Sequence, residues 1–282
     1  TPKEMCELFN TIYPVVKEAN PDCNIMGRLI GRSVKSEKYL KEFLDLGGYK
    51  YIDIIATDCY VTNWICSPED ANHYKLYKNR IKMIRSYVKD FEFWLEEVGW
   101  MGTDYYDLVR AFESFNIVSE ENQMNYMVRE HLITWAAGVK RLAWFLPEAG
   151  DARRDNPFGI TRYAMSAPKP AYVAYRAMTE ILDEAEFIKY KEIGKKSYYC
   201  VFKKGKEYIS VLWTREGIET FDIDVGEKSV KITDVIGNSE NFSTRDGILT
   251  LSLSERPVYV KGTSRIIKVA KPWIRFEATK MT

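Results

Sequence analysis

Histidine is scarce in this chain: two in 282 residues, His73 and His131. Metal centres and triad hydrolases rely on that side chain. No His/Cys/Asp group here has metal-ligand spacing, and no serine sits in a G-x-S-x-G elbow. Both histidines fall within helical patterns and read as structural. The five cysteines (Cys6, Cys23, Cys59, Cys66 and Cys200) are an odd number with no C-x-x-C pair. They read as free or buried thiols rather than a disulfide framework. No apolar run is long enough to cross a bilayer, and no glycine-rich phosphate loop appears, so no cofactor is indicated. Forty-one Lys and Arg against forty Asp and Glu leave a net charge of +1, with no basic block or stripe, which argues against nucleic acid. Nothing marks a signal peptide at Thr1, and the single sequon Asn241-Phe242-Ser243 is a pattern that chance often supplies, so the compartment stays open.

Hydrophobic residues at 46% and charged residues at 29% are the proportions of an ordinary globular protein, and the length allows two units. The chain begins on a helix: Thr1-Pro2-Lys3-Glu4 is a capping box with proline at the first helical position. Strands are expected at Asn24–Ile30, Tyr51–Tyr60, Phe91–Trp100 and Val139–Leu146. Helices fill the gaps at Lys35–Leu46, from Ser67 to Lys89 and from Ser119 to Gly138, and Pro170–Leu182 follows. This alternation marks an α/β unit with a parallel sheet. From about Glu186 short strands separated by turns take over, at Ser197–Phe202, Tyr208–Trp213, Thr220–Val225, Ser229–Val235, Ile248–Leu253 and Pro257–Val260. They indicate an antiparallel β-sandwich. The expected division is 1–184, 185–262 and a basic, aromatic tail over 263–282 that either adds a strand or lies loose.

The most informative stretch is FEFWLEEVGW, Phe91–Trp100. A run this apolar suits a strand covered on both faces. Strict alternation puts Phe91, Phe93, Leu95 and Glu97 on one side and Glu92, Trp94 and Glu96 on the other. Two carboxylates on opposite faces cannot form a catalytic pair, so Glu96 reads as a structural ion-pair partner. An acid at a C-terminal strand end with an aromatic just beyond it fits sugar chemistry. The plainer reading is a solvated acidic pair. Aromatic residues at 14% fit a sugar cleft and aromatic-rich sheets equally well.

E-E-V-G-W resembles the (T)E-x-G-W strand end that carries the nucleophile in clan A glycoside hydrolases. Other stretches, in order, are similar to glycoside hydrolase family 39 and its relatives. Pro14–Met26 resembles the approach to strand five. Asp53–Tyr60 resembles the strand-six signature D-x-(I/V)-S-x-H-x-Y, with Asp58 at the histidine's place. Gly138–Leu146 resembles strand eight, Lys169–Tyr172 the K-P-A-Y that starts helix eight, and Leu253–Tyr259 the last sandwich strand. The resemblance covers about residues 1–262. It implies strands five to eight, the C-terminal half of a (β/α)8 TIM barrel, followed by the sandwich. It further implies a retaining β-glycosidase with Glu97 as nucleophile, and Tyr60, Asp58, Trp144, Trp100 and Glu148 as substrate-binding residues. Trp144 is the expected platform beneath the sugar, and Trp64 and Trp100 sit in loops past strands six and seven. The clan's acid/base Glu belongs to an Asn-Glu-Pro motif at the end of strand four, and nothing here resembles it. The resemblance thus implies a missing N-terminal half-barrel, supplied in trans or by a second copy, unless the four strands form an open sheet covered in some other way. A carbohydrate-binding or scaffold relic without turnover, and an interaction protein using exposed strand edges, are the alternatives.

Overall fold

Helix and strand alternate through the first part of the chain as the pattern expects. The computed structural model describes residues 1–31, 34–60, 66–103, 117–148, 157–162, 165–263 and 266–272. These fall into two units, Thr1–Lys169 and Pro170–Thr282. The first contains α1 (Pro2–Ala19), β1 (Met26–Ile30), α2 (Val34–Asp45), β2 (Ile54–Asp58), α3 (His73–Arg85), β3 (Glu92–Val98), α4 (Glu120–Ala137) and β4 (Arg141–Trp144). The four strands lie in the order β1-β2-β3-β4, every pair parallel. Local chemistry sets the helix ends. Thr1 and Glu4 close the expected capping box on α1, and Ser119 accepts from the Asn122 amide at the start of α4. Gly138 ends α4 at φ 93°, a conformation that favours glycine.

The helices cover one face of this sheet. Leu40, Phe43 and Leu44 of α2, Tyr77, Ile81 and Ile84 of α3, and Ala137 of α4 pack with Ile55, Phe93 and Leu95 of the strands. Burying one such large apolar side chain stabilises by about 1.5–3 kcal/mol. The other face differs from the two-sided cover expected of β3. Residues there include Met26, 40% exposed, and the exposed Arg28, Arg141 and Ala143. Trp94 keeps its place on that face by polar means. Its indole N–H donates to Glu92 at 2.8 Å, and the Arg141 guanidinium lies over its ring at 4.8 Å.

In the second unit, α5 (Pro170–Leu182) precedes nine strands: β5 (Glu186–Ile193), β6 (Ser197–Lys204), β7 (Glu207–Thr214), β8 (Glu219–Asp224), β9 (Ser229–Thr233), β10 (Ser239–Ser243), β11 (Ile248–Leu253), β12 (Val258–Thr263) and β13 (Lys268–Pro272). They make a six-stranded sheet, β10-β9-β12-β7-β6-β5, and a three-stranded one, β11-β8-β13. Both contribute to one core, with Tyr199, Val201, Leu212 and Val260 from the first and Phe221, Ile223, Leu249 and Leu253 from the second. The expected boundary after residue 184 moves to Lys169/Pro170, which places α5 with the strands. β13 comes from the expected tail. β10, exposed along its whole length, has no buried alternation by which to find it.

Buried polar pairs hold the helices of the first unit in register. Arg129 of α4 is fully buried and forks onto Glu69, which is 2% exposed, through Nε–Oε1 at 2.9 Å and a second contact from Nη2 to Oε2. Glu69→Gln keeps the shape but takes the paired carboxylate from a buried cation, so it should lower unfolding free energy by about 3–5 kcal/mol. Urea denaturation checks this; an unchanged midpoint would mean that Arg129 finds its counter-charge elsewhere.

Candidate functional site

Between Leu95 and Val98 β3 carries one residue more than either neighbour. Thr57 and Asp58 of β2 pair with Leu95 and Glu97, skipping Glu96, and Leu142 and Trp144 of β4 pair with Leu95 and Val98. The strand is bulged at its two acids, as its burial shows: Phe93, Leu95 and Val98 are buried and the intervening residues are not. This corrects the expectation that Glu96 and Glu97 point to opposite faces. Both reach Arg28 of β1. Its Nε lies 2.7 Å from Glu96 Oε1, its Nη2 3.8 Å from Glu97 Oε2, and the same Nη2 donates to Asp58 Oδ2 at 2.5 Å. The contact to Glu96 lies off the N–H axis, so it is an ion pair without a hydrogen bond. Burial raises the Glu96 carboxyl above its ordinary range, against the pull of Arg28.

Tyr60 stands where it was expected, at the end of β2 beside the acid. Its hydroxyl donates to Glu97 Oε2 at 3.0 Å. Burial and then the charge of Glu97 push that hydroxyl's pKa up, so it remains a donor. The Cys59 amide donates to the Glu97 carbonyl at 2.9 Å, which pins the same residue by its main chain. Tyr60 meets Phe145 and Phe158 edge to face at 6.2 and 5.6 Å, and those two rings meet at 5.4 Å. An acid fixed by a phenol, an aromatic trio and a shared guanidinium are thus assembled from all four strands of the sheet and the segment that carries Phe158.

Two expected sugar contacts lie on the helix side of the sheet. Trp100 is fully buried, donates to the Cys66 carbonyl at 2.9 Å and packs with Ala71, Val98, Val118 and Tyr126 on the helix side. Trp144 stacks between Trp100 at 5.8 Å and His131 at 6.2 Å, and its indole nitrogen is buried with no partner. The reason is strand parity: Trp144 follows Leu142 onto the helix face, and Phe145 turns the other way. Counting parity along Leu142-Ala143-Trp144-Phe145 would have found Phe145. Phe158 has no comparable local signal. Asp58 joins the cluster through Arg28. Glu148 is half-buried, forms a backbone bridge with Thr161, and has no ion pair or side-chain hydrogen bond to the cluster among the described residues. Trp64 lies outside the described residues.

The surrounding loops are held from below. Gln123 of α4, fully buried, directs its amide N–H groups at the carbonyls of Trp100, Pro157 and Phe158, at 2.8, 3.0 and 3.2 Å. Lys169, also buried, donates to Gly102 at 2.9 Å and Pro157 at 3.4 Å. Gly99 lets the ends of β3 and β4 approach, since a Cβ there would lie 2.4 Å from the Phe145 carbonyl. Among the described residues no group of three His, Cys, Asp or Glu could hold a metal ion.

No family model and no curated protein matches the sequence. Solved structures do. A family 39 glycoside hydrolase from the gut symbiont Bacteroides cellulosilyticus WH2 aligns with TM-score 0.72 and 20% identity, over 90% of this chain and 54% of its own. A GH30 endoxylanase from Clostridium papyrosolvens C71 aligns at 0.61 and 11% identity, over 93% of this chain and 61% of its own. The catalytic domain of GH30 xylanase C from Talaromyces cellulolyticus aligns at 0.59 and 12%, over 93% and 57%. The resemblance to clan A glycoside hydrolases is therefore shown as a likeness of fold, and the chain spans a little over half the length of these structures.

Gly99→Ala should destabilise the chain by about 1–3 kcal/mol in urea, the usual cost of overpacking. It should also shift the NMR signals of the Tyr60 ring, because Tyr60 touches Phe145. Wild-type values for both would show that β3 and β4 do not come this close.

Proposed function

We propose that the chain carries the nucleophile wall of a retaining β-glycosidase, built as strands five to eight of a (β/α)8 barrel with a β-sandwich behind it. The observation that carries the reading is Glu97: an acid at a C-terminal strand end, gripped by Tyr60 and flanked by Phe145 and Phe158. Glu97 attacks the anomeric carbon as the leaving oxygen departs with its bonding electrons, giving a glycosyl-enzyme. Water then attacks the same carbon, its proton passing to the acid/base group that served the leaving oxygen, and releases the sugar and the Glu97 carboxylate. Tyr60 orients the attacking oxygen, and the aromatic trio offers a ring face to the sugar. The xylanases among the similar structures support a polysaccharide substrate.

Retention needs a second carboxyl about 5–5.5 Å away on the leaving-group side. Asp58, Glu96 and Glu97 gather on one guanidinium, so they share one wall. We assign the proton donor to a complementary half-barrel. Two features support such a partner: the sheet face opposite the helices, where Met26, Arg28, Arg141 and Ala143 are exposed, and the stripe Leu8, Ile12 and Val15, exposed at 50%, 38% and 64% on α1.

The test separates nucleophile from acid. A 2,4-dinitrophenyl 2-deoxy-2-fluoro-β-glycoside has a leaving group that needs no proton, so the chain alone should become labelled at Glu97, and Glu97→Gln should abolish the label. Unactivated β-glycosides should turn over about 10²–10⁴-fold more slowly than with a complete acid/base pair. Glycan binding without any label would favour a non-catalytic module, and turnover indifferent to Glu97→Gln would end the glycosidase reading.

A further inference from the structure

Beneath Tyr60 lies a group of ionisable side chains that the reaction above does not use. Cys59 Sγ is 3.6 Å from His73 Nε2, and His73 Nδ1 is 2.7 Å from Glu130 Oε2. The Tyr77 hydroxyl donates to the other oxygen of Glu130 at 2.8 Å. All four residues are closed to solvent, and they come from three elements: the end of β2, α3 and α4. A core built for stability alone does better with apolar side chains, because charges taken out of water rarely recover their desolvation. The cluster therefore calls for a second role.

The two residues it leads to indicate that role. The main chain of Cys59 holds the Glu97 carbonyl, and the hydroxyl of the next residue, Tyr60, holds the Glu97 carboxylate. Whatever fixes Cys59 fixes both contacts. We infer that Cys59, His73, Tyr77 and Glu130 form a positioning network that seats Tyr60 on the Glu97 carboxylate. Its charges suit a rigid tether. Burial alone would lower the His73 pKa, but the charges of Glu130 and Cys59 raise it, which favours the imidazolium. Burial alone would raise the Cys59 thiol, and the charge of His73 with hydrogen bonds from His73 and Tyr77 turns it downward. A charge-assisted chain of this kind is shorter and stiffer than neutral contacts.

The meaning of the network rests on Glu97 being the nucleophile, but its test does not. The carbon-13 signal of the Glu97 carboxyl at neutral pH, followed by NMR in the full chain, reports whether Tyr60 is seated, because it moves when the Tyr60 hydrogen bond is lost. Glu130→Gln and Cys59→Ala should each move that signal toward its position in Tyr60→Phe. Cys59→Ser, which keeps a polar partner for His73, should move it less. In a Tyr60→Phe background the same substitutions should move it no further. If Glu130→Gln fails to fold, Cys59→Ala, which removes one sulfur atom, carries the test. Lowered stability with an unmoved signal would overturn the inference, and so would an equal displacement in the Tyr60→Phe background. Absence of fluoro-glycoside labelling would remove the reaction and leave this coupling standing, whereas loss of the coupling would leave the labelling untouched.

Discussion

One guanidinium among three carboxylates is the constraint on which the geometry of the site depends. Asp58, Glu96 and Glu97 end neighbouring strands, and Arg28 is the cation they share. Two like charges 4 Å apart repel by roughly 1 kcal/mol in water and about 4 kcal/mol near a protein surface. Three acids at adjoining strand ends would therefore splay apart without a counter-ion. Regular alternation would instead have sent Glu97 into the buried layer of Phe93 and Leu95, away from Arg28, where a carboxylate loses several kcal/mol in hydration. A bulge that gives up regular pairing at one residue is the smaller loss. It turns both consecutive acids toward Arg28.

The helices reinforce that arrangement with polar side chains. Arg80, fully buried, reaches the Gly31 carbonyl and Thr57 at the ends of β1 and β2. Gln123 and Lys169 fasten the chain after β3 to residues 157 and 158, and His73 with Glu130 fastens Cys59. α4 is the extreme case: it is buried around most of its circumference, yet it carries Glu120, Gln123, Asn125, Arg129 and Glu130 inside. Such a helix is specified less by an apolar stripe than by which strand end each polar group must reach. Directed bonds of this kind fix orientations that apolar packing leaves loose. That is why they gather where Tyr60, Phe145 and Phe158 must be aimed.

How much could be read in advance follows from the range of each signal. Capping chemistry at Thr1 and Ser119 acts over three or four residues, and it marked both helix starts. The apolar periods of β2, β3 and β11 are local as well, and so was the place of Glu97 and Tyr60 at their strand ends. The bulge was not legible, because Glu-Glu reads as alternation until the pairing of both neighbouring strands is known. Trp144 and Trp100 misled through bulk: a large aromatic near a strand end suits a sugar platform and a core equally, and only parity separates them. Arg28 lies thirty residues before Asp58, with no local feature to connect them. The cluster around His73 joins residues up to 71 positions apart, since Cys59 and Glu130 meet only in space.

The sheet face opposite the helices of the first unit shows what any covering layer must satisfy. Its charges are Arg28, Glu92, Glu96 and Arg141, on a sheet whose edges β1 and β4 have one neighbour each among the described residues. Charges on such a face guard against edge-to-edge association, because another flat sheet laid against them would bury ions without partners. The same feature selects the partner that can bind. Trp94 lies between an anion that accepts its N–H and a cation over its ring, so the middle of this face is neither purely apolar nor purely polar. A layer of Val, Ile and Leu, the usual filling of a closed barrel, would strand both Glu92 and Arg141. Any layer laid on this face must therefore bring polar groups or ordered water to that level.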